Sequence, residues 1–313
     1  MAGPKIAVVG SANIDLTTFT DKFPSPGETI FGREFNLGFG GKGANQAAAA
    51  RLCGAEVAMI ARVGDDLFGE ATVRNFEAQG IDASRVLLSK GASSGVAPIF
   101  VDASGQNRII VVKGANDLLS PADVDAAAEV LSQAQMIILQ LEVPVETVYH
   151  TLRFARARGI RTIVNPAPAL SVDLSEFANA DYVIPNESEA ALLSGVKVRD
   201  LASARECAAW LLAAGLPRVI ITLGENGSLI AGPDGMEHVP PFAVQPVDTT
   251  GAGDAFIGSL AVFLSAGLAE REAVSRANLY AALSTLSVGT QKSFVDAARF
   301  DQEWSARMKS ARA

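Results

Sequence analysis

The sequence predicts an α/β fold: a three-layer, doubly wound, mostly parallel sheet with a small β-sheet lid. Short apolar runs alternate with helix-period segments along most of the chain, and from residue 121 onward the alternation is regular. Such alternation gives a mostly parallel sheet with helices on both faces. Two segments, about 14–37 and 96–112, break the rhythm and are assigned to the lid. Residues 1–313 then form a single domain into which the lid is inserted.

The elements follow in order. Residues 5–10 (KIAVVG) are a short apolar run ending in glycine, as in a buried strand. Residues 11–15 (SANID) read as the loop after it, and 24–27 (PSPG) as a turn. Residues 29–37 partly alternate and read as a strand; 38–46 (GFGGKGANQ) then open an alanine-rich helix that reaches about Cys53. A strand at 57–63 and a helix at 66–79 follow. Residues 96–101 and 108–112 flank a polar turn and read as a hairpin. Beyond it come helix 121–132, strand 136–141, helix 144–158, and strands 161–165 and 181–184. Helices 186–194 and 200–214 lead to strand 218–223. Two glycine turns then space strands at 228–231 and 237–239, before helices 252–266 and 270–285, a glycine-containing loop and a polar C-terminal helix.

Composition narrows the function. Nearly half the residues are apolar and 19% are charged, so a sizeable core is expected and disorder is not. The formal net charge of −8, with no Lys/Arg block, argues against nucleic acid as a partner. No run approaches the ~18 apolar residues of a membrane span, and the N-terminal apolar run is too short for a signal peptide. Cys53 and Cys207 are far apart and give no metal spacing, which fits a reducing compartment. A cytoplasmic protein is expected. His150 and His238 both lie outside the glycine loops, so a catalytic base is expected to be a carboxylate.

Ligands in doubly wound folds sit at the carboxyl ends of the strands. The polar groups there are Asn13, Asp15, Glu142, Asn165, Asn186, Glu187, Thr222 and, beyond Val247, Asp254. In residues 247–255 (VDTTGAGDA) the glycines allow a tight turn and close approach to backbone N–H groups. The helix N-terminus after them favours an anion, most often phosphate. Asp254 beside such an anion suggests proton removal from a substrate hydroxyl; the same stretch also reads as a glycine-rich loop with Asp254 as an ordinary cap. A helix N-terminus favours the ionised carboxylate, so Asp254 is expected to be a weak base in the ground state. Asn13, Asp15, Lys42, Asn45 and Glu142 suit the hydroxyls of a sugar. Residues 38–43 match G-x-G-x-x-G, but they follow a lid-like strand instead of opening the first βα turn, and Glu56 comes too soon after Gly43 and starts a strand; a dinucleotide reading is rejected. Gly43 stands where a P-loop needs Ser or Thr.

Four spaced blocks resemble the PfkB sugar kinases. They are Gly40-Gly41-Lys42-Gly43-Ala44-Asn45-Gln46, Asn165-Pro166-Ala167-Pro168, Pro185-Asn186-Glu187-Ser188-Glu189 and Asp248-Thr249-Thr250-Gly251-Ala252-Gly253-Asp254. With Asn13-Ile14-Asp15 and Gln140-Leu141-Glu142, the first is similar to the ribose-phosphorylating branch, and the match runs from about residue 5 to 293. The resemblance implies transfer of a phosphoryl group from ATP to the 5-hydroxyl of D-ribose. Asp254 would be the base, and Gly251, Ala252 and Gly253 the anion hole. Asn13, Asp15, Gly41, Lys42, Asn45 and Glu142 would bind the pentose. Asn186 and Glu189 would position the ATP phosphates and Mg²⁺, and Thr222, Gly224, Gly227 and Asn278 would line the nucleotide. It also implies K⁺ held by Asp248, Thr250, Ser284, Ser287, Gly289 and Ser293, and a homodimer formed through the lid sheets. The sequence departs from the family pattern at 289–293 (GTQKS), which lacks the usual proline and carries Lys292, and at Asn278, where the family usually has His. A kinase for deoxyribose, a ketose or a nucleoside, and a non-catalytic sugar sensor, are the alternatives. The small polar sugar-side set disfavours a nucleoside, and the intact Asp254 disfavours a sensor.

Overall fold

A computed structural model describes residues 3–310, and their strands fall into two sheets. In chain order these are β1 (Lys5–Val9), β2 (Asn13–Phe19), β3 (Glu34–Gly40), β4 (Glu56–Gly64), β5 (Asp82–Ser89), β6 (Gly95–Val101) and β7 (Asn107–Ile109). They continue with β8 (Met136–Leu139), β9 (Arg161–Val164), β10 (Tyr182–Val183), β11 (Val219–Thr222), β12 (Ser228–Gly232) and β13 (Gly235–Val239). The large sheet has the order β13-β12-β11-β10-β9-β8-β1-β4-β5, parallel from β11 through to β5, with an antiparallel hairpin, β12–β13, at one edge. The small sheet has the order β3-β2-β6-β7.

The large sheet is covered on both faces, as the alternation predicts. Along β1, Ile6 and Val8 join one buried cluster and Ala7 and Val9 the other. The first cluster takes in the helices Lys42–Leu52, Ala252–Ser265 and Glu270–Ser284; the second takes in Val124, Val148, Leu152 and Leu211 from the opposite layer. Each fully buried Val or Ile side chain contributes about 1.5–3 kcal/mol, so a strand with both faces covered is a strong organiser.

Helix Ala252–Ser265 is buried at every position from Asp254 to Leu264. Gly258 lets it approach helix Lys42–Leu52, because a Cβ there would overlap the Gln46 carbonyl. The alanines of the second helix, Ala44 and Ala47–Ala50, complete the fit. This close packing brings Asn45 and Gln46 to Asp254.

Several boundaries differ from those expected. Asn13–Asp15, read as a loop, begin strand β2, which pairs with β3 in full register from Asn13↔Gly40 to Phe19↔Glu34. The strand expected at 29–37 lies instead at Glu34–Gly40, because its glycines stay extended against β2. β5, a polar-alternating edge strand, went unread. Helix 121–132 is two short helices, Pro121–Ala126 and Ala128–Leu131, with Ala127 between them. Among the described residues no helix is long and apolar enough to cross a membrane.

Candidate active site

Asp254 lies in the first turn of helix Ala252–Ser265, and Gly251, at φ 79°, is the N-cap. That left-handed backbone favours glycine, and a Cβ at 251 would overlap the Thr290 side chain. Asp254 is only 7% exposed. Its Oδ2 accepts from Asn45 Nδ2 at 3.0 Å and its Oδ1 from Gln46 Nε2 at 2.9 Å. The expectation of a weak base is corrected here. Burial raises the Asp254 pKa, and the opposing pull of Lys42, Asn45 and Gln46 does not cancel it; Glu142 adds to the rise. Desolvation of the whole carboxylate outweighs the helix terminus.

Around it, the predicted sugar-side residues converge. Glu142 Oε2 accepts from Ser11 Oγ at 2.5 Å and from the Lys42 backbone N–H at 2.9 Å, which ties the end of β8 to the start of helix Lys42–Leu52. Gly41, the N-cap of that helix at φ 88°, packs directly on the Ala12 and Asn13 backbone. Burial works against the Lys42 ammonium, yet Asp254, Glu142 and Glu189 together raise its pKa. Asp15 is pushed up to about 6, first by burial and then by the charges of Glu142 and Asp254. Among the described residues the Asp15 carboxylate has no hydrogen-bond donor from the protein.

Two cavities adjoin at this edge. One of about 190 Å³ is lined by Lys42, Asn165, Glu189, Gly251 and Asp254; the other, of about 990 Å³, runs past Gly224, Gly227, Pro241, Phe242, Phe256 and Asn278. Asn186, Thr222 and Gly253 line both. Asn186 caps helix Glu187–Ser194 through a reciprocal pair: its Oδ1 accepts from the Glu189 N–H, and Glu189 Oε2 accepts from the Asn186 N–H, both at 2.9 Å. Glu189 is buried, and burial raises its pKa despite the Asn186 bond and Lys42. Asn278 uses its polar atoms inside the protein, accepting from Ser228 Oγ at 2.7 Å and donating to the Val239 and Pro240 carbonyls.

The residues predicted to hold a monovalent cation lie on the turn before helix Ala252–Ser265 and on the segment from the end of helix Glu270–Ser284 to Ser293, joined by Asp248. Asp248 Oδ1 accepts from the Thr250 N–H and Oδ2 from the Gly289 N–H, both at 2.9 Å. Burial opposes these bonds, but they hold the Asp248 pKa below the usual carboxylate range. Ser284 Oγ donates to the Ala281 carbonyl and Ser293 Oγ to that of Thr290, both buried; Ser287 is exposed.

Four residues of the site carried no role in the sequence reading. Asn116, in the short 3-10 helix Gly114–Leu118, is 1% exposed, donates to Asn13 Oδ1 at 2.7 Å and accepts from the Ala12 N–H at 2.9 Å. Gln46, Gln140 and Gln291 surround the Asp254 pair. Gln46 and Gln140 stood inside recognised motifs; Asn116 and Gln291 had no local signal.

The pattern of the pfkB family carbohydrate kinases matches residues 4–297. Deoxyribokinase of Salmonella typhi is 45% identical over 298 residues, 95% of this chain and 97% of that one. Ribokinase of Mus musculus is 40% identical over 294 residues, 92% of this chain and 91% of that one. The solved structure of Arabidopsis thaliana ribokinase complexed with ribose and ATP superposes with a TM-score of 0.90 at 28% identity, covering 96% of this chain and 98% of that one. The ribokinase-like α/β fold, with two adjoining cavities at the N-terminus of helix Ala252–Ser265, is that of a carbohydrate phosphotransferase. The chain belongs to the pfkB family of carbohydrate kinases. It is an ATP:sugar phosphotransferase of the ribokinase type.

Proposed function

We propose that this enzyme phosphorylates D-ribose at the 5-hydroxyl, giving D-ribose 5-phosphate and ADP. The observation that carries this reading is a buried carboxylate, Asp254, beside the junction of two adjoining cavities at a helix N-terminus. The smaller space and the small sheet suit a pentose; the larger suits a nucleotide. Asp15 adds a carboxylate that lacks donors and is met by sugar hydroxyls.

Asn13, Asp15, Gly41, Lys42, Asn45 and Glu142 hold the pentose, and the small sheet closes over it as a lid that limits water access. Thr222, Gly224, Gly227 and Asn278 flank the nucleotide. Phosphoryl transfer depends chiefly on positioning and charge neutralisation. Asp254 accepts the hydroxyl proton as the oxygen bonds to phosphorus, and its raised pKa makes it a better acceptor than an exposed aspartate. The N–H groups of Gly251 and Gly253 are the donors offered to the transferring group, while that of Ala252, between them in the same turn, is donated to the Thr249 carbonyl at 3.2 Å; free donors of this kind contribute about 3 kcal/mol each. Asn186 and Glu189 would hold Mg²⁺, with water between, since both Glu189 oxygens already accept bonds from Asn186. When bound, the ion would supply neutralisation of phosphate charge.

Asp248, Thr250, Ser284, Ser287, Gly289 and Ser293 offer oxygen donors alone, a set that suits a hard cation such as K⁺. Its charge, when bound, would add to the field of the anion hole. Exposed Phe35, Leu37, Phe100 and Ile109 on the small sheet support pairing of two copies through that sheet.

A second reading, 2-deoxy-D-ribose as substrate, is favoured by the 45% identity to a deoxyribokinase. The two differ by one hydroxyl, and a site built to bond that hydroxyl rejects its absence strongly. The test couples ATP consumption to sugar-phosphate formation with ribose, deoxyribose, fructose or adenosine, in Mg²⁺ with either K⁺ or Na⁺. Higher kcat/KM for ribose, with K⁺ activation, is expected. Preference for deoxyribose replaces the substrate and keeps the mechanism, and equal rates in Na⁺ remove the cation assignment.

A further inference from the structure

Asp254 is the meeting point of two chains of side-chain amides. On one side Gln46 Nε2 donates to Asp254 Oδ1, and Gln140 Nε2 donates to Gln46 Oε1 at 2.6 Å. On the other, Asn45 Nδ2 donates to Asp254 Oδ2, and Gln291 Nε2 donates to Asn45 Oδ1 at 3.1 Å. Gln291 Oε1 in turn accepts from Gln79 Nε2 at 3.0 Å and Asn75 Nδ2 at 3.4 Å. An ionised carboxylate only accepts, so Asn45 and Gln46 must present nitrogen to it. Their oxygens then require donors, and Gln140 and Gln291 supply them. Every dipole in both chains points its donor end towards Asp254.

Gln140 gives the second, independent observation. It is fully buried, and its Oε1 has no partner among the described residues. Gly10 makes room for that oxygen, since a Cβ there would overlap it. A buried acceptor without a donor is costly, and an apolar side chain of this size would avoid the cost. What the glutamine supplies in return is its Nε2, the donor that fixes the Gln46 amide.

We propose that Gln140 and Gln291 are positioning residues that lock the amides of Gln46 and Asn45 with their donors on Asp254, keeping that carboxylate oriented and ionised for proton removal. Without the locks either amide can turn over and present oxygen to the carboxylate. Gln291 sits between Gly289 and Ser293, so this lock also ties the base to the 289–293 loop. The charged groups that share the field of Asp254 are Lys42 at the start of helix Lys42–Leu52, Glu142 beyond β8, Asp15 on β2 and Glu189 on helix Glu187–Ser194. The inference rests on Asp254 acting as the base.

The test compares Gln140→Met, Gln291→Met and Asp254→Asn by kcat against pH at saturating sugar and ATP, with nucleotide affinity as a control. Losing one lock is expected to move the acid limb of the kcat profile up by about one pH unit and lower kcat at neutral pH about tenfold, with nucleotide affinity unchanged. If both methionine variants keep the wild-type limb, whatever happens to their rates, the locks are packing contacts only and the proposal falls. Should Gln140→Met fail to fold, Gln291→Met, on a partly exposed loop, decides alone. Full turnover by Asp254→Asn would remove the base reading and this inference with it. Loss there, with unmoved limbs in the other two, removes the inference and leaves the base.

Discussion

Asp15, which pairs with Gly38 across β2–β3, lays its carboxylate diagonally over Gly40, so closely that a Cβ on Gly40 would overlap both carboxylate oxygens. The missing side chain at 40 therefore sets where the carboxylate rests. Gly40→Ala should turn Asp15 aside while leaving the sheet intact, because Gly40 has no left-handed φ. Steady-state kinetics should show the sugar KM raised about tenfold or more, as for a misplaced polar partner. The ATP KM should stay within about twofold, since Gly40 does not line the nucleotide groove.

Asp15, pushed up to about 6, would in the proposed sugar site accept hydroxyls fully only when ionised. The sugar KM should rise as pH falls through about 6, with the ATP KM unchanged. The sign for stability is opposite. A carboxyl with a raised folded pKa binds its proton more tightly in the fold, so the free enzyme loses stability as pH rises from the ordinary carboxylate value to about 6. Bound sugar should reduce that loss. Thermal melts with and without sugar across this range check both signs.

Asp254→Asn should lower kcat by about 10²–10⁴, the usual span for a general base. Because burial raises its pKa, wild-type Asp254 also adds a fall in stability as pH rises through its titration. The slope of melting temperature against pH should be shallower in the variant. An equal slope with lost activity would mean that Asp254 is not the buried titrating group.

Asn116 holds the start of β2, the proposed sugar end, through Ala12 and Asn13. Its amide serves Ala12, Asn13 and the Lys113 carbonyl from a fully buried position. Asn116→Ala leaves those groups unpaired and should destabilise the protein by about 2–4 kcal/mol in denaturant titrations. Sugar affinity should fall as well, since Asn13 loses the donor that fixes its amide.

Much of this was legible before any coordinates. β1, the glycine block at 41–43 and the 248–254 turn sit where apolar runs and glycines placed them, because each depends on local backbone needs. β2 was not, since the site lies on it: Asn13, Asp15 and Thr17 give it the polarity of a loop, and its partner strand supplies the reason to be extended. Gly38 and Gly40 misled for a related cause, as both lie inside a strand rather than a turn, Gly40 packed closely against Asp15. The Asp254 pKa was reversed because a helix N-terminus is visible in sequence and the depth of burial is not. Asn116 and Gln291 act through contacts about 100 or more residues away in sequence, which no spacing rule reports.

The shared lining of the two cavities at Asn186, Thr222 and Gly253 has a use for chemical design. A pentose and an adenosine joined by a phosphate chain would thread one molecule through both spaces. Tethering makes the second docking event intramolecular, and affinity peaks when the chain just spans the gap. A series of such compounds, differing by one phosphate at a time, would act as a ruler for the distance the transferred group travels.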